Sequence, residues 1–389
     1  MRIILYGGSF NPPHPGHVAA AQTVSEQLRP DLFLVAPDAV QPHKELEEGS
    51  PDLEARLALC RLAFRDVPRV EVTDLTLGRR GRCYSADTVA ALRERYPDGA
   101  LLFLLGTDMF LSFEDWYRFE YLLTQCELAV LPREEDELPA IEAHAEKLRR
   151  EYGAAVTLLH HEPLPLRSRV IRERLRHRLG SDMLDERVYA EIIRRRYYDA
   201  LPELSWLREK AYAFLKPKRI AHVAGCENEA VMLAVYWGED PERAAEAAIL
   251  HDIAKKYSLE ENLQICEKYG MINDRTELAC PNILHAKTGA ALARDLFGVD
   301  DGVYEAIRWH CTGKPDMTLL EKIIWLADYI EPTRSFEGVE TIRKLAYEDL
   351  DAALARALAM TLAFLREEGG EPYSDTVEAC RWYSQSEET

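Results

Sequence analysis

"RIILYGGSFNPPHPGH", Arg2–His17, sets the architecture of the first half of this chain. The apolar residues at its start predict a short buried strand, which Gly7 and Gly8 end at a tight turn. Pro15 suits the first turn of a helix, because its missing N–H would have no partner there. A glycine-rich turn between a strand and a helix lets a ligand approach the backbone, and the helix start offers free N–H groups to an anion.

Two histidines flank this predicted helix start. His14 lies just before the helix and His17 lies in its first turn. The helix dipole disfavours protonation of these imidazoles, whereas a bound polyphosphate favours it. Imidazoles beside phosphate oxygens can donate hydrogen bonds to the charge that builds up during a transfer reaction. Exposed loop histidines are the plain alternative, but the H-x-G-H spacing directly after a strand and two glycines favours a site.

Strand and helix patterns alternate through the first half, which predicts a parallel sheet covered on both faces. The predicted strands are Ile3–Tyr6, Leu32–Ala36, Val70–Thr73, Leu101–Leu105, Leu128–Leu131 and Val156–Leu159. After about Asp185 the strand signal stops and only helical patterns follow. We therefore predict an α/β domain with a Rossmann-like parallel sheet over residues 1–200, followed by an all-α domain over residues 204–385.

Composition narrows the class of protein. Hydrophobic residues make up 47% and charged residues 30%, which is ordinary for a globular protein, and the net charge of −19 argues against a general nucleic-acid binder. No apolar run approaches the roughly 20 residues of a membrane span, and nothing at the N-terminus resembles a signal peptide. The eight cysteines contain no C-x-x-C pair. We expect a cytoplasmic enzyme of small anionic substrates that binds neither nucleic acid nor membrane. The sequence leaves open whether it forms a homodimer.

A second group of polar residues lies in the helical half. His251 and Asp252 occur together inside an apolar pattern that predicts one helix over Glu242–Lys256. Such a pair is costly to bury unless something compensates it. Imidazoles and carboxylates together suit iron, manganese or zinc. Unrelated core or capping histidines are the alternative, but the order of the candidates favours a metal site: His222, His251, Asp252, His285, His310 and Asp328.

The N-terminal stretch "GGSFNPPHPGH" resembles the signature of the HxGH nucleotidyltransferase superfamily. Four further stretches resemble one branch of it, the bacterial nicotinate-nucleotide adenylyltransferases, in that family's order. They are "PHK" (Pro42–Lys44), "YSADT" (Tyr84–Thr88), "GTD" (Gly106–Asp108) followed by Trp116, and "LPR" ending at Arg133. This resemblance implies transfer of AMP from ATP, with Mg²⁺, to nicotinate mononucleotide.

The same resemblance assigns roles to residues. His14 and His17 would contact the triphosphate, Asp108 the ribose hydroxyls and Trp116 the pyridine ring, while Tyr84–Thr88 would read the nicotinate carboxylate. The full set of implied substrate-binding residues is Gly8, Ser9, Phe10, Lys44, Tyr84, Thr88, Gly106, Asp108, Trp116, Arg133, Ser168 and Arg172.

One stretch departs from the family. Where its members have I-S-S-T-x-I-R, this chain has "LRSRVIR", Leu166–Arg172. Arg167 and Arg169 replace a serine and a threonine, so two hydroxyls are lost and two guanidinium groups are gained. Because arginine also binds phosphate, we expect activity to survive.

The helical half resembles the HD-domain metal phosphohydrolases, and within them the symmetrical diadenosine tetraphosphate hydrolases. The stretches that carry this are "LKPKRIAHV", "AAILHDIAKK", "WHCTG" and "ADYIEP". Cys311, in "WHCTG", replaces a threonine that is usual in the family. The resemblance implies that His222, His251, Asp252 and Asp328 hold one metal ion, and that Asp252 bridges to a second ion held by His285 and His310. It also implies iron as the metal and diadenosine tetraphosphate as the substrate. Lys255, three positions after Asp252, lies one helical turn further on and is predicted to face the phosphates; an ordinary exposed lysine is the alternative.

Alternative hypotheses assign other functions to the same predicted folds. The N-terminal half would then transfer a nucleotide to another acceptor, such as phosphopantetheine, against which "PHK" and "GTD" with Trp116 argue. The helical half would act on a guanosine polyphosphate or a cyclic dinucleotide. Alternatively, it would sense nucleotides and regulate its neighbour, against which the complete set of metal ligands argues.

Overall fold

The computed structural model describes residues 1–38, 46–75, 84–132, 135–160, 162, 164–271, 283–369 and 372–385 of the chain. These residues form two compact units, Met1–Leu201 and Pro202–Thr389, called here the N-terminal and the C-terminal unit. Lys44 and Arg133, which are both predicted to bind substrate, lie outside the described residues.

The N-terminal unit contains a six-stranded sheet in which every pair of neighbours is parallel, in the order β3-β2-β1-β4-β5-β6. Ile3, Ile4 and Leu5 are consecutive and at most 1% exposed, so both faces of the central strand are covered. The strands are β1 (Arg2–Gly8), β2 (Leu32–Pro37), β3 (Val70–Val72), β4 (Ala100–Gly106), β5 (Glu127–Leu131) and β6 (Val156–Leu158).

Helices connect these strands, as parallel pairing requires. The connecting helices are α1 (Pro15–Leu28), α2 (Leu53–Ala63), α3 (Ser85–Arg95), α4 (Thr107–Leu111), α5 (Phe119–Gln125) and α6 (Leu138–Tyr152), and α7 (Ser168–Arg176) and α8 (Glu186–Arg195) follow β6.

The sheet reverses its direction of growth between β1 and β4. From β1 the chain runs to β2 and β3 on one side, and then crosses to β4 on the other side. The two strands are in register, with Tyr6 opposite Leu104, and they end at Gly8 and Gly106. In open α/β sheets such a reversal opens a crevice at the carboxyl ends of the strands, where ligands bind.

The C-terminal unit is helical throughout the part that the structure describes. Its helices are α9 (Leu204–Tyr212), α10 (Pro217–Trp237), α11 (Pro241–Leu250), α12 (Leu259–Tyr269), α13 (Leu284–Phe297), α14 (Asp301–Trp309), α15 (Leu319–Ile330), α16 (Val339–Leu345), α17 (Leu350–Glu367) and α18 (Ser374–Gln385). Ile323, Ile324 and Leu326 of α15 are fully buried. Ala244 and Ala248 of α11 are also fully buried, and their small side chains let neighbouring helices approach closely.

The predicted fold class is confirmed, because a parallel α/β sheet is followed by a helical region. The six predicted strands are present, each within two residues of its predicted bounds. Among the residues that the structure describes, no helix is long and apolar enough to cross a membrane.

The predicted helix over Glu242–Lys256 is wrong in its second half. Helix α11 ends at Leu250, and His251 and Asp252 lie in the turn that follows. There the N–H of Ile253 donates to the carbonyl of Leu250 over 3.3 Å, which is the spacing of a tighter turn. The apolar pattern continues across the boundary, because Ile253 is fully buried, so the pattern alone cannot mark where the helix stops.

Candidate functional site

The loop between β1 and α1 stacks its two histidines on each other. His14 is the N-terminal cap of α1 and has an extended backbone, with φ −143° and ψ 167°. Its N–H donates to Nδ1 of His17 over 3.2 Å, and the two ring centroids lie 3.7 Å apart. His14 is buried, whereas His17 is partly exposed. The predicted pair is therefore one unit fixed at the helix start, at the carboxyl edge of the sheet.

A steric requirement explains why Gly16, the glycine of the H-x-G-H pattern, has no side chain. A Cβ atom at this position would lie 3.0 Å from Nδ1 of His14 and 3.1 Å from its Cε1. These separations are closer than ordinary van der Waals contact, so any larger residue would push the His14 ring away from His17. The spacing of the motif thus follows from the packing of the two rings.

The buried side chain of Phe10 holds the β1–α1 loop in place. Its side chain is 1% exposed, and its ring packs edge-on against Tyr6 and His17, with centroids 5.2 and 5.0 Å away. Its φ of 43° is in the left-handed region, which costs a residue with a side chain of order 1 kcal/mol. Burial of the ring offsets that cost. Phe10 therefore shapes the loop, while Gly8 and Ser9 precede it at the end of β1.

The neighbouring strand brings further predicted residues to the same edge. Gly106 ends β4 and caps α4, and the exposed Asp108 lies in the first turn of that helix. Trp116 is half-buried and packs edge-on against Phe103 of β4, with ring centroids 5.8 Å apart. Asp108 is thus open to solvent, and Trp116 is partly built into the core.

The turn before α3 carries two more predicted residues. Tyr84 is the N-terminal cap of this helix, and its ring lies 4.4 Å from the ring of the exposed Tyr117. Thr88, in the first turn, is only 6% exposed. The structure gives Tyr84 an aromatic neighbour that the sequence pattern does not indicate.

Ser168 and Arg172 of α7 bind the β1–α1 loop rather than standing free beside it. The Ser168 hydroxyl donates to the carbonyl of Pro12 over 3.1 Å, and Arg172 donates to the carbonyl of Asn11 over 2.6 Å. Arg172 also forms a two-point ion pair with Glu47, at 2.5 and 3.1 Å, whose hydrogen bonds lower the pKa of Glu47. Substrate contact by these two residues stays a prediction.

Arg56 is a residue of this region that sequence reasoning misses. It lies on α2, is 1% exposed, and donates to the carbonyls of Ser9 and Asp38, each over 2.7 Å. It thereby ties the ends of β1 and β2 together. Its position in the sequence of α2 carries no signal, because the two acceptors are backbone atoms remote in sequence.

In the C-terminal unit the six predicted metal ligands converge at one buried place. His222 comes from α10, His251 and Asp252 from the turn after α11, and His285 from the first turn of α13. His310 follows the end of α14, and Asp328 lies near the end of α15. Three helices and the turns that follow two others therefore contribute to one cluster.

One side of the cluster joins His222, His251 and Asp328. His222 Nε2 lies 3.0 Å from an Asp328 carboxylate oxygen, and the rings of His222 and His251 are 5.5 Å apart. One nitrogen or oxygen of each of the three residues lies within 4.8 Å of those of the others. The donor set fits a divalent transition metal.

The other side joins His285 and His310 through Asp252. Asp252 Oδ1 lies 3.2 Å from His285 Nε2 and 3.9 Å from His310 Nε2, whereas Oδ2 lies 3.5 Å from His251 Nε2. The two oxygens of this fully buried carboxylate thus face the two halves of the cluster. That arrangement is what a bridging carboxylate between two ions requires.

The buried atoms of the cluster fit a metal rather than each other. His222 Nε2, His251 Nε2 and Asp252 Oδ1 form no hydrogen bond, although all three are buried. The Nδ1 atoms of His251 and His310 each lie 2.7 Å from a backbone carbonyl, of Ala248 and Ile307. Such contacts put the proton on Nδ1 and leave Nε2 as a lone-pair donor.

Charge inside the cluster is balanced by residues that sequence reasoning does not single out. Arg219 donates to Asp252, and Arg334 donates to Asp328 over 2.6 Å. Burial opposes ionisation of both carboxyl groups, but the neighbouring histidines and arginines outweigh it and hold their pKa values well below the usual range. Burial also lowers the pKa of His251 to about 4, so its ring is neutral near pH 7.

Glu331, directly after α15, is a further residue that sequence reasoning misses. It is fully buried, and one of its oxygens lies 2.9 Å from Nδ1 of His222. The N–H of Thr333 donates to its other oxygen over 2.6 Å. The stretch "ADYIEP" contained it, but only the structure reveals that it orients a predicted ligand.

Lys255, which is predicted to face the phosphates of the substrate, lies beside the cluster. Its exposed ammonium group is 3.2 Å from Nε2 and 3.3 Å from Nδ1 of His285. The structure brings it to the edge of the cluster, and its role in catalysis stays a prediction.

Comparisons with known proteins match the two parts of the chain separately. Residues 5–174 match the cytidylyltransferase-like family model, and residues 219–333 match the HD domain model. The chain is 41% identical over 180 residues to a symmetrical bis(5′-nucleosyl)-tetraphosphatase of Bacillus subtilis, covering 45% of this chain and 96% of the relative. It is 33% identical over 172 residues to a probable nicotinate-nucleotide adenylyltransferase of Thermosipho melanesiensis, covering 44% and 84%.

One further relative has both parts. The probable nicotinate-nucleotide adenylyltransferase/Ap4A hydrolase of Mycoplasma pneumoniae is 25% identical over 370 residues, covering 93% of this chain and 98% of the relative. The order of the two parts along the chain is thus shared with a protein named for two activities.

Replacing Arg56 by methionine should destabilise the N-terminal unit by roughly 2–5 kcal/mol, because two partly buried carbonyls lose their donors. Arg61→Met on the exposed face of the same helix is the matched control and should change stability by less than about 0.5 kcal/mol. Denaturant unfolding, followed by a probe in the N-terminal unit, measures both. Equal stability of the two variants would show that Arg56 does not hold the loop.

Adding a divalent transition metal to chelator-treated protein should raise the unfolding temperature of the C-terminal unit. An ion at 100 times its Kd stabilises the folded state by about 2.7 kcal/mol, since the unfolded chain lacks the site. His251→Ala should weaken the shift, and His177→Ala, with an exposed side chain in the other unit, should leave it intact. Calorimetry with and without metal measures this; a wild-type transition that ignores metal would contradict a built site.

Proposed function

The chain belongs to the symmetrical bis(5′-nucleosyl)-tetraphosphatase family and to the nicotinate-nucleotide adenylyltransferase family, and on that premise we propose that it is a bifunctional enzyme. The N-terminal unit transfers AMP from ATP to nicotinate mononucleotide, which yields deamido-NAD and pyrophosphate. The C-terminal unit hydrolyses diadenosine tetraphosphate to two molecules of ADP. The observation that carries the proposal is that two clusters of different chemistry, the stacked His14–His17 pair and the buried cluster around Asp252, lie in separate units.

In the transfer, a 5′-phosphate oxygen of nicotinate mononucleotide attacks the α-phosphorus of ATP, and the bond from that phosphorus to the bridging oxygen of the β-phosphate breaks in line. The start of α1 and the backbone of Gly8 and Ser9 offer N–H groups to the polyphosphate. His14 and His17 donate hydrogen bonds to the charge that develops on the leaving pyrophosphate. Mg²⁺ carried by ATP supplies further positive charge.

We propose that groups at the carboxyl edge of the sheet select nicotinate mononucleotide, the substrate that accepts AMP. Asp108 is exposed, and its carboxylate would accept hydrogen bonds from ribose hydroxyls. Trp116 is half-buried and would stack on the pyridine ring, while Tyr84 and Thr88 would frame the nicotinate carboxylate. Lys44 and Arg133 are also proposed to contact phosphate groups, because both side chains are cationic.

Ser168 and Arg172 act through the loop. Because their donors are bound to Pro12, Asn11 and Glu47, we assign them the task of holding the β1–α1 loop in its binding shape. Arg167 and Arg169 flank Ser168 and would add positive charge where relatives have hydroxyl groups.

For the hydrolysis, we propose that His222, His251, Asp252 and Asp328 hold one divalent metal ion and that Asp252, His285 and His310 hold a second. Such a pair, with iron as the proposed metal, lowers the pKa of a bound water and neutralises phosphate charge. Asp252 sets the spacing of the two sites, and Glu331 orients the ring of His222. Lys255, beside His285, supplies positive charge for the polyphosphate.

His17→Ala should reduce deamido-NAD formation by roughly 10²–10³-fold, because one donor to the developing charge is lost. Hydrolysis of diadenosine tetraphosphate by the same protein should be unchanged, since that site is in the other unit. Steady-state rates of both reactions on the full chain measure this. An unchanged transfer rate would mean that His17 has no role in the reaction.

His251→Ala should abolish release of ADP from diadenosine tetraphosphate and leave AMP transfer at the wild-type rate. The wild-type chain, loaded with iron under anaerobic conditions, should also be assayed on guanosine polyphosphates and cyclic dinucleotides. Hydrolysis of one of those in place of diadenosine tetraphosphate would overturn the proposed substrate. Metal-loaded protein that hydrolyses none of them would favour the nucleotide sensor.

A further inference from the structure

We propose that Cys311 is a direct ligand of the second metal ion, so that this site contains a thiolate as well as two imidazoles. The inference rests on the proposed two-metal hydrolase and adds a ligand to it. Cys311 follows His310 directly in the chain. It is half-buried, at the edge of the cluster where His285 and His310 meet.

The distances form one face of a coordination tetrahedron. Cys311 Sγ lies 3.4 Å from His285 Nε2 and 3.2 Å from His310 Nε2, and the two nitrogens are 3.2 Å apart. Around an ion with metal–nitrogen bonds of about 2.05 Å and a metal–sulfur bond of about 2.3 Å, tetrahedral edges are about 3.3 Å between nitrogens and about 3.6 Å between nitrogen and sulfur. The three atoms therefore need to move by only a few tenths of an ångström.

A fourth candidate donor lies beside the two imidazoles of this triangle. Asp252 Oδ1 is buried, forms no hydrogen bond, and lies 3.2 Å from His285 Nε2 and 3.9 Å from His310 Nε2. Together with Cys311 it would complete a set of one oxygen, two nitrogens and one sulfur around a single ion. The unpartnered oxygen is an observation independent of the cysteine, and it points into the same place.

A thiolate changes which ion the site prefers. Soft sulfur ligands favour zinc, cobalt and iron over manganese and magnesium, whose preferred ligands are oxygen atoms. A threonine at this position offers only a hard hydroxyl. The second site of the wild-type chain should therefore be more selective for thiophilic ions than the second site of a Cys311→Thr variant, while the first site should not differ.

Cobalt(II) reports the ligand directly, because thiolate coordination gives a near-ultraviolet charge-transfer band that histidine and carboxylate ligands do not produce. Titration of chelator-treated full-length protein with cobalt should produce this band as the second ion binds. Cys311→Ser and Cys311→Thr should both lose the band and bind the second ion at least about tenfold more weakly. Cys380→Ser, which removes another half-buried thiol, is the matched control and should keep the band.

The outcomes separate this inference from the proposed function. If wild type binds two cobalt ions, shows visible ligand-field bands and lacks the charge-transfer band, Cys311 is not a ligand, although the two-metal site stands. If the band persists in Cys311→Thr, another thiol is bound and the inference is wrong. If no cobalt binds at all, the proposed metal centre itself fails. Circular dichroism of each variant confirms that the fold is intact.

Discussion

The fully buried carboxylate of Asp252 is the constraint around which the C-terminal unit is organised. A lone carboxylate in a protein interior costs several kcal/mol unless charges and hydrogen bonds compensate it. Arg219 binds one of its oxygens, and His285 faces the other. These partners come from α10 and α13, so the helices must meet at one point, and the small residues of α11 allow that approach. The compensation is still incomplete, since Oδ1 forms no hydrogen bond. A bound cation would complete it.

The N-terminal unit meets a different requirement, because its site is to attract an anion. It uses the start of α1, where the N–H of His17 donates to the carbonyl of His14 over 2.9 Å, and two histidines that stack on each other. Gly16 leaves room for the His14 ring, and Phe10 holds the loop by its buried side chain. Arg56 and Arg172 fix the loop by bonds to backbone carbonyls, so positive side chains here also serve the architecture.

Much of this could be predicted from local pattern. The strands were predictable because a buried parallel strand needs an unbroken apolar run, and the H-x-G-H and HD motifs are contiguous in sequence. The end of α11 was not predictable, because Ile253 continues the apolar pattern past Leu250. The role of Glu331 was equally hidden, since its partner His222 is 109 residues away in the chain. The role of Arg56 was not predictable either, because its hydrogen-bond acceptors are backbone carbonyl groups.

The sequence by itself determined the two-part organisation, the α/β and helical classes, and the residue types that each site would use. Those properties depend on periodicity and on motifs of a few neighbouring residues. Only the tertiary structure decided how distant residues combine: that Asp252 lies between two sets of imidazoles, that Arg172 binds Glu47 rather than standing free, and that Cys311 joins His285 and His310. Distances of a few ångströms between elements arise from helix packing, and packing is a property of the whole core rather than of any one stretch.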